Sequence, residues 1–91
     1  MKIQWANKAL SDLERVYEFL ASVNKPAAIQ VVRSLTNGVT RLADHPRLGE
    51  SLSQFAPRDV RRLQIGRYEV RYEIQESVIF ILRLWHTRED R

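Results

Sequence analysis

Ninety-one residues suit one compact domain with a single core, and are too few for a separate catalytic lobe or a cofactor-binding half. Apolar residues at 44% and charged residues at 29% describe an ordinary folded soluble chain, and the lack of cysteine excludes disulfides, zinc–thiolate sites and thiol nucleophiles. Fifteen Lys and Arg against eleven Asp and Glu give a net charge of +4 and a pI near 10.0, so nucleic acid or an acidic protein surface is an electrostatically favourable partner.

The opening "MKIQWANKAL" has no apolar core of a signal peptide, and no run approaches the roughly 20 apolar residues that span a bilayer. A cytoplasmic location without a membrane partner is the expectation. "KIQW" alternates, placing Ile3 and Trp5 on one side of a short strand. Asn7 stands where it can cap a helix. From Lys8 to about Ser22, Leu10, Leu13, Val16, Tyr17 and Leu20 recur at three- and four-residue steps. Asp12, Glu14, Arg15 and Glu18 take the other side of that amphipathic helix.

"NKP" at 24–26 ends this helix and starts the next, with Asn24 as cap and Pro26 in the first turn, where a missing N–H is harmless. Ala28, Val32, Leu35, Val39 and Leu42 carry an apolar stripe to about Ala43, which makes the two helices an antiparallel hairpin. Gly38 within the second helix costs ~1 kcal/mol against alanine and points to close packing there.

"DHPRLGESLSQFAP", residues 44–57, has no periodicity and reads as a loop pinned to the core by Leu48, Leu52 or Phe55. After it the period is two. "RDVRRLQI" and "RYEVRYEI" join through Gly66-Arg67, and a second hairpin turns at Gln75, Glu76 and Ser77. This register sends Leu63, Ile65, Tyr68, Val70, Tyr72, Ile74, Val78, Phe80, Leu82 and Leu84 towards the helices. It leaves Arg62, Gln64, Arg67, Glu69, Arg71, Glu73, Ile79, Ile81, Arg83 and Trp85 on the opposite side, with Glu69 across from Arg83 and Arg67 across from Trp85. The expected class is α+β, an N-terminal strand and a helical hairpin packed on one face of an antiparallel sheet, in one domain over 1–91.

Arginine dominates from Arg58 onward and is suited to planar, bidentate recognition of anions. The arginine side of the sheet admits three readings. It could stabilise a pentavalent phosphate during RNA cleavage, with His86 as general acid or base. It could bind a partner. It could also be a solvated surface of ion pairs worth a few tenths of a kcal/mol each. Arginine stays protonated at neutral pH and is a poor general base. Parity places His86 beside Leu84 on the core side, where it could simply close the core. Trp85, across from Arg67, could form a flat platform for a base or side chain, or bury its own ring. His45 has no partner histidine, so no metal site is expected, and no motif calls for a cofactor. Glu89 and Asp90 adjoin in sequence and point apart on an extended chain.

The element order, together with "W...AL.DLERVYEFL", "GRYEVRYEI" and above all "ILRLWHTRED", resembles the RelE/ParE superfamily of bacterial type II toxins over essentially the whole chain. The resemblance implies a small basic toxin, of the kind that stabilises plasmids, silenced by a cognate antitoxin encoded beside it. RelE-like members cut messenger RNA in the ribosomal A site; ParE-like members inhibit DNA gyrase. The RelE nuclease pattern sets two basic residues on the first strand of the final sheet, an arginine after the next turn, another near the end of the last strand, and a tyrosine on a C-terminal helix. Arg62 and Arg88 match two of these positions, but Gln64 and Glu69 stand at two others and no tyrosine follows the last strand. The resemblance therefore implies a ParE-like, non-enzymatic toxin directed at gyrase. Arg62, Arg67, Arg71, Arg83, Trp85, His86 and Arg88 are then the expected target- or antitoxin-binding residues. The alternative is a ribosome-dependent endoribonuclease working through Arg62, His86 and Arg88.

Overall fold

The computed structural model describes residues 1–89. Asp90 and Arg91, at the end of the motif quoted above, lie outside the described residues. The elements are β1 (Lys2–Trp5), α1 (Asn7–Ala21), α2 (Lys25–Thr40), a 3-10 turn (Arg41–Ala43), β2 (Glu50–Ser51), a second 3-10 turn (Ser53–Phe55), β3 (Asp59–Ile65), β4 (Tyr68–Gln75) and β5 (Val78–His86).

The start of α2 forms as its sequence dictates. Asn24 Oδ1 accepts the Ala27 N–H at 3.1 Å and Pro26 lies in the first turn, so one orphan donor is satisfied and the proline removes none that was needed. Ala28, Leu35 and Val39 are buried, as is Leu42 in the turn that follows. Gly38 is a contact point: a Cβ there would lie 2.5 Å from Ile65 Cδ1.

Helix α1 departs from its expected stripe. Ala6 holds the N-cap position without a side-chain bond, and Asn7 is the first helical residue, not the cap. The buried residues are Ala9, Asp12 and Val16, while Leu10 is 48% exposed. The helix is therefore rotated about its axis relative to the leucine pattern. Ala9 is small enough to allow close approach, and Asp12 is tolerated inside because it is fully hydrogen-bonded.

The sheet has the order β1-β5-β4-β3-β2. Strand β1 runs parallel to β5, from Lys2 opposite Val78 to Trp5 opposite Ile81, so the sheet is mixed and not purely antiparallel. The connection between them runs through the helical hairpin, which carries the chain to β2 at the far edge, and back through β3 and β4. Glu50 and Ser51, inside the segment read as loop, pair with Arg62 and Arg61. Leu52 buries there, while Leu48 is 49% exposed. The Tyr72 hydroxyl ties this segment down by donating to Pro46 O and accepting the Gly49 N–H, each at 2.8 Å.

Two hairpins set the register. The first turns at Gly66-Arg67, with Gly66 at φ 58 and Ile65 opposite Tyr68. The second is tighter than expected, with Gln75 opposite Val78 and Glu76 at φ 54. A bulge then puts Tyr72 opposite Ile81 but Arg71 opposite Arg83. The extra residue, Leu82, inverts the facing of the first half of β5. Ile79 and Ile81, expected outside, are fully buried with Tyr72, Val70 and Leu84. Val78 and Phe80, expected inside, face the other way, half-buried. Trp85 lies across from Glu69, and Arg67 sits in the turn. The core joins Ala9, Val16, Leu35, Val39 and Leu42 to Leu63, Val70, Tyr72, Ile79, Ile81 and Leu84.

Candidate partner-binding surfaces

On the outer side of the sheet, away from the helices, the arginines meet carboxylates supplied by the fold. Arg62 donates from Nε and Nη2 to Glu50 Oε2 at 3.1 and 2.9 Å. Arg58 grips Glu73 with two bonds, at 3.0 and 2.8 Å, and these hydrogen bonds are the main reason the Glu73 carboxyl stays below its ordinary range although burial opposes it. Arg71 lies 5.3 Å from the Phe55 ring centre and 4.9 Å from that of Trp85, with Nη2 3.6 Å from Glu69. Its Nε is buried without a hydrogen-bond partner among the described residues; stacking between two rings compensates in part. Trp85 thus buries its own ring, under Arg71 and not Arg67.

A shallow hollow of about 400 Å³ on this side is lined by Arg62, Gln64, Glu50 and Glu69 with Leu48, Gly49 and Leu63. Gln64 Nε2 donates to Gly66 O at 2.9 Å.

Arg83 belongs to neither surface. Beyond Trp5, β1 no longer accompanies β5, and Asp12 of α1 takes over that edge. Asp12 Oδ2 accepts the Leu84 N–H at 3.0 Å and Arg83 Nε at 2.8 Å, and Oδ1 accepts Arg83 Nη2 at 3.1 Å. Burial alone would raise the Asp12 carboxyl. The bonds from Arg83 and Leu84 and the charges of Arg83 and Arg15 outweigh it and hold the group below its ordinary range. Arg83 and Glu69, expected to face each other, have separate partners.

The helix side carries a different surface at the end of the sheet. Two adjoining hollows, about 460 and 700 Å³, share Phe19, Tyr68 and His86. Arg15, Val16, Arg88 and Glu89 complete the smaller, and Leu20, Val31, Ile65 and Arg67 are among the walls of the larger. Phe19 is 74% exposed. The His86 ring meets Tyr68 edge-on at 5.2 Å. Its Nδ1 accepts the Arg88 N–H at 3.1 Å, which places the neutral ring's proton on Nε2. Glu89 Oε1 accepts the His86 N–H at 3.1 Å, and Glu89 Oε2 lies 3.6 Å from Arg15 Nη2. Burial, and after it the Glu89 charge, raise the Tyr68 phenol.

The structure thus brings Arg67, His86 and Arg88 together around the cleft and leaves Arg62 and Arg71 on the opposite side. The trio Arg62, His86 and Arg88 does not converge, because Arg62 projects from the outer side and His86 from the helix side. Asp12, Glu50 and Phe19 shape these surfaces and were not singled out from the sequence. A signal existed for Asp12, which falls on the helical line Ala9–Asp12–Val16. Among the described residues no group of His, Cys, Asp or Glu could hold a metal ion, and no helix is long and apolar enough to cross a membrane.

The family model for the ParE toxin of type II toxin–antitoxin systems, parDE, matches residues 3–91. No curated protein sequence gives a match. Among solved structures, the chain is similar in fold to one from the chromosomal ParDE TA system from P. aeruginosa, with a TM-score of 0.79 and 24% identity over 94% of this chain and 95% of that one.

Proposed function

Because the chain belongs to the ParE toxin family of type II toxin–antitoxin systems, we propose that it arrests growth by inhibiting DNA gyrase, without cleaving RNA, and that a cognate antitoxin neutralises it. The observation that carries the choice of target is the hollow around Arg62, where Glu50, Glu69 and Gln64 stand with the lone arginine. Phosphodiester cleavage builds negative charge in the transition state and needs convergent cations. Here the arginine is already paired with Glu50, Glu69 would repel a phosphate, and His86 lies on the other side of the sheet.

A binding toxin needs none of that convergence. Arg67, His86 and Arg88 form one contact region and Arg62 and Arg71 another, while Arg83 and Trp85 hold the strand that presents them. The net charge of +4 favours approach to the acidic gyrase–DNA complex.

Purified protein added to gyrase and relaxed plasmid tests the proposal. Supercoiling should stop, ribosome-bound message should stay intact, and adding the antitoxin encoded beside the toxin should restore supercoiling. Normal supercoiling together with site-specific cuts in translated message would overturn the reading in favour of the nuclease.

A further inference from the structure

We propose that the outward face of α2 is a docking surface for the phosphate backbone of duplex DNA, so that the toxin touches the DNA that gyrase holds as well as the enzyme. The inference rests on the gyrase reading above and adds a second contact, its chemistry and the residues that make it.

Three observations carry it. The first is sign. From Phe19 to Ala43 the sequence has no Asp or Glu, although the chain has eleven, while Lys25, Arg33 and Arg41 fall inside that stretch. The second is placement. Ala28, Leu35, Gly38 and Val39 turn one side of α2 to the core, so the opposite side carries Arg33, Asn37 and Thr40, with Gln30 and Arg41 at its margin. All five are exposed. Arg33 and Arg41 stand about 12 Å apart along the axis, a span of several nucleotides on one strand of a duplex.

The third is availability. Arg58, Arg61, Arg62, Arg71 and Arg83 each meet a carboxylate at 3.6 Å or less. Among the described residues Arg33 and Arg41 meet none, and the side-chain amides of Gln30 and Asn37 have no hydrogen-bond partner. A phosphate therefore breaks no ion pair when it reaches them. The Thr40 hydroxyl takes no part, because it donates to Thr36 O at 2.8 Å. Asp44, beyond the turn that follows α2, is the first acid after the stretch and marks where the surface ends.

Guanidinium and amide N–H groups reach phosphate oxygens whatever the base sequence, which suits a toxin that follows gyrase along DNA. A protein partner is the poorer fit. Such interfaces centre on anchors seated in hollows, and the one exposed large apolar residue of α2, Ile29 at 42%, borders none of the hollows described above.

Fluorescence anisotropy of a labelled DNA duplex of arbitrary sequence, titrated with the whole protein, tests the proposal. Two arginine–phosphate contacts give a salt slope of about −2, so affinity should fall about tenfold between about 50 and 200 mM KCl. Arg33→Gln and Arg41→Gln should each lower affinity about tenfold at the lower salt and flatten the slope by about one. Arg33→Lys, which keeps the charge, should stay within about twofold of the parent. Lys2→Gln removes the same charge from the outer side of the sheet, beside Val78, and should bind as the parent does. Unchanged circular dichroism and melting would show that these variants, all at exposed positions, fold. No binding at the lower salt, or binding that the two arginine variants weaken no more than Lys2→Gln does, would overturn the assignment. Gyrase without DNA that loses its grip on Arg33→Gln, while the duplex does not, would give the face to a protein and overturn it too.

Gyrase is absent from the duplex titration, so this outcome is separable from the functional reading. Supercoiling blocked by a toxin that ignores the duplex would sink the DNA contact and leave the gyrase target standing. Duplex binding lost in Arg33→Gln, together with normal supercoiling in the presence of the parent, would sink the gyrase target and leave the surface.

Discussion

On the outer side of the sheet Arg58, Arg62 and Arg71 face Glu73, Glu50 and Glu69, and Arg71 is also packed between two rings. Around the helix-side cleft Arg15, Arg67 and Arg88 stand beside an exposed Phe19, with Glu89 as the local acid. The same residue type is set among carboxylates and rings in one place and beside open apolar surface in the other. What separates them is the company the fold supplies. Arg15 also has a carboxylate, Asp12 Oδ1 at 3.1 Å, but it lines an apolar hollow with Arg88, as Arg67 does the adjoining one. The number of arginines in a stretch of sequence does not reveal this.

Asp12 keeps Arg83 out of both regions, so removing it is the strongest way to break the comparison. Asp12→Ala strands the Arg83 guanidinium and the Leu84 N–H. It should cost about 2–3 kcal/mol in urea unfolding, near the low end for a broken buried pair because Arg83 is partly open to water. Acid should act on the same bond. Asp12 and Glu73 are both held below their ordinary range when folded, so their contribution is complete above about pH 5 and is lost as pH falls through their lower folded values. Stability should therefore drop less steeply below that pH in Asp12→Asn than in the parent.

Next in size is the packing that holds the 44–52 segment against β3 and supplies Glu50 to Arg62. Gly49→Ala would set a Cβ 2.6 Å from the Arg62 carbonyl oxygen, a backbone atom that cannot turn aside, and should cost about 2 kcal/mol. Tyr72→Phe removes the acceptor of the buried Gly49 N–H and should cost about 1–2 kcal/mol by the same measurement. The smallest effect belongs to Gly38→Ala. Its Cβ meets Ile65, whose Cδ1 end can shift, and helix propensity gives back ~1 kcal/mol. Thermal melting should place this variant within ~1 kcal/mol of the parent. A Gly38→Ala protein less stable than Gly49→Ala would contradict the view that the outer surface is the more rigidly built.

Much of the fold was legible because local chemistry agreed with it. Asn24 and Pro26 start α2, Gly66 turns the first hairpin, and the alternation Tyr68–Val70–Tyr72–Ile74 fixes which side of β4 is buried. The facing of β5 was not legible, since "VIFILRLW" is apolar at nearly every position and either parity satisfies it; the bulge opposite Arg71 and Tyr72 decides the matter through packing. Asp12 was misread because its partners, Arg83 and Leu84, lie 71 and 72 residues away, and an acid on a helix defaults to the solvent side. Of the candidate residues, the C-terminal motif places His86 and Arg88, and the turn that opens "GRYEVRYEI" places Arg67, at one end of the sheet. Phe19 and Glu50 had no such motif. One looks like an ordinary member of an amphipathic helix and the other like loop.

The central claim, a toxin that acts on gyrase by binding, is tested most directly by expressing the chain alone in growing cells and following pulse-labelled DNA and protein synthesis. Incorporation of labelled thymidine should fall first, with messages uncut and protein synthesis declining only later. Protein synthesis failing first, with cleaved messages on the ribosome, would contradict the account.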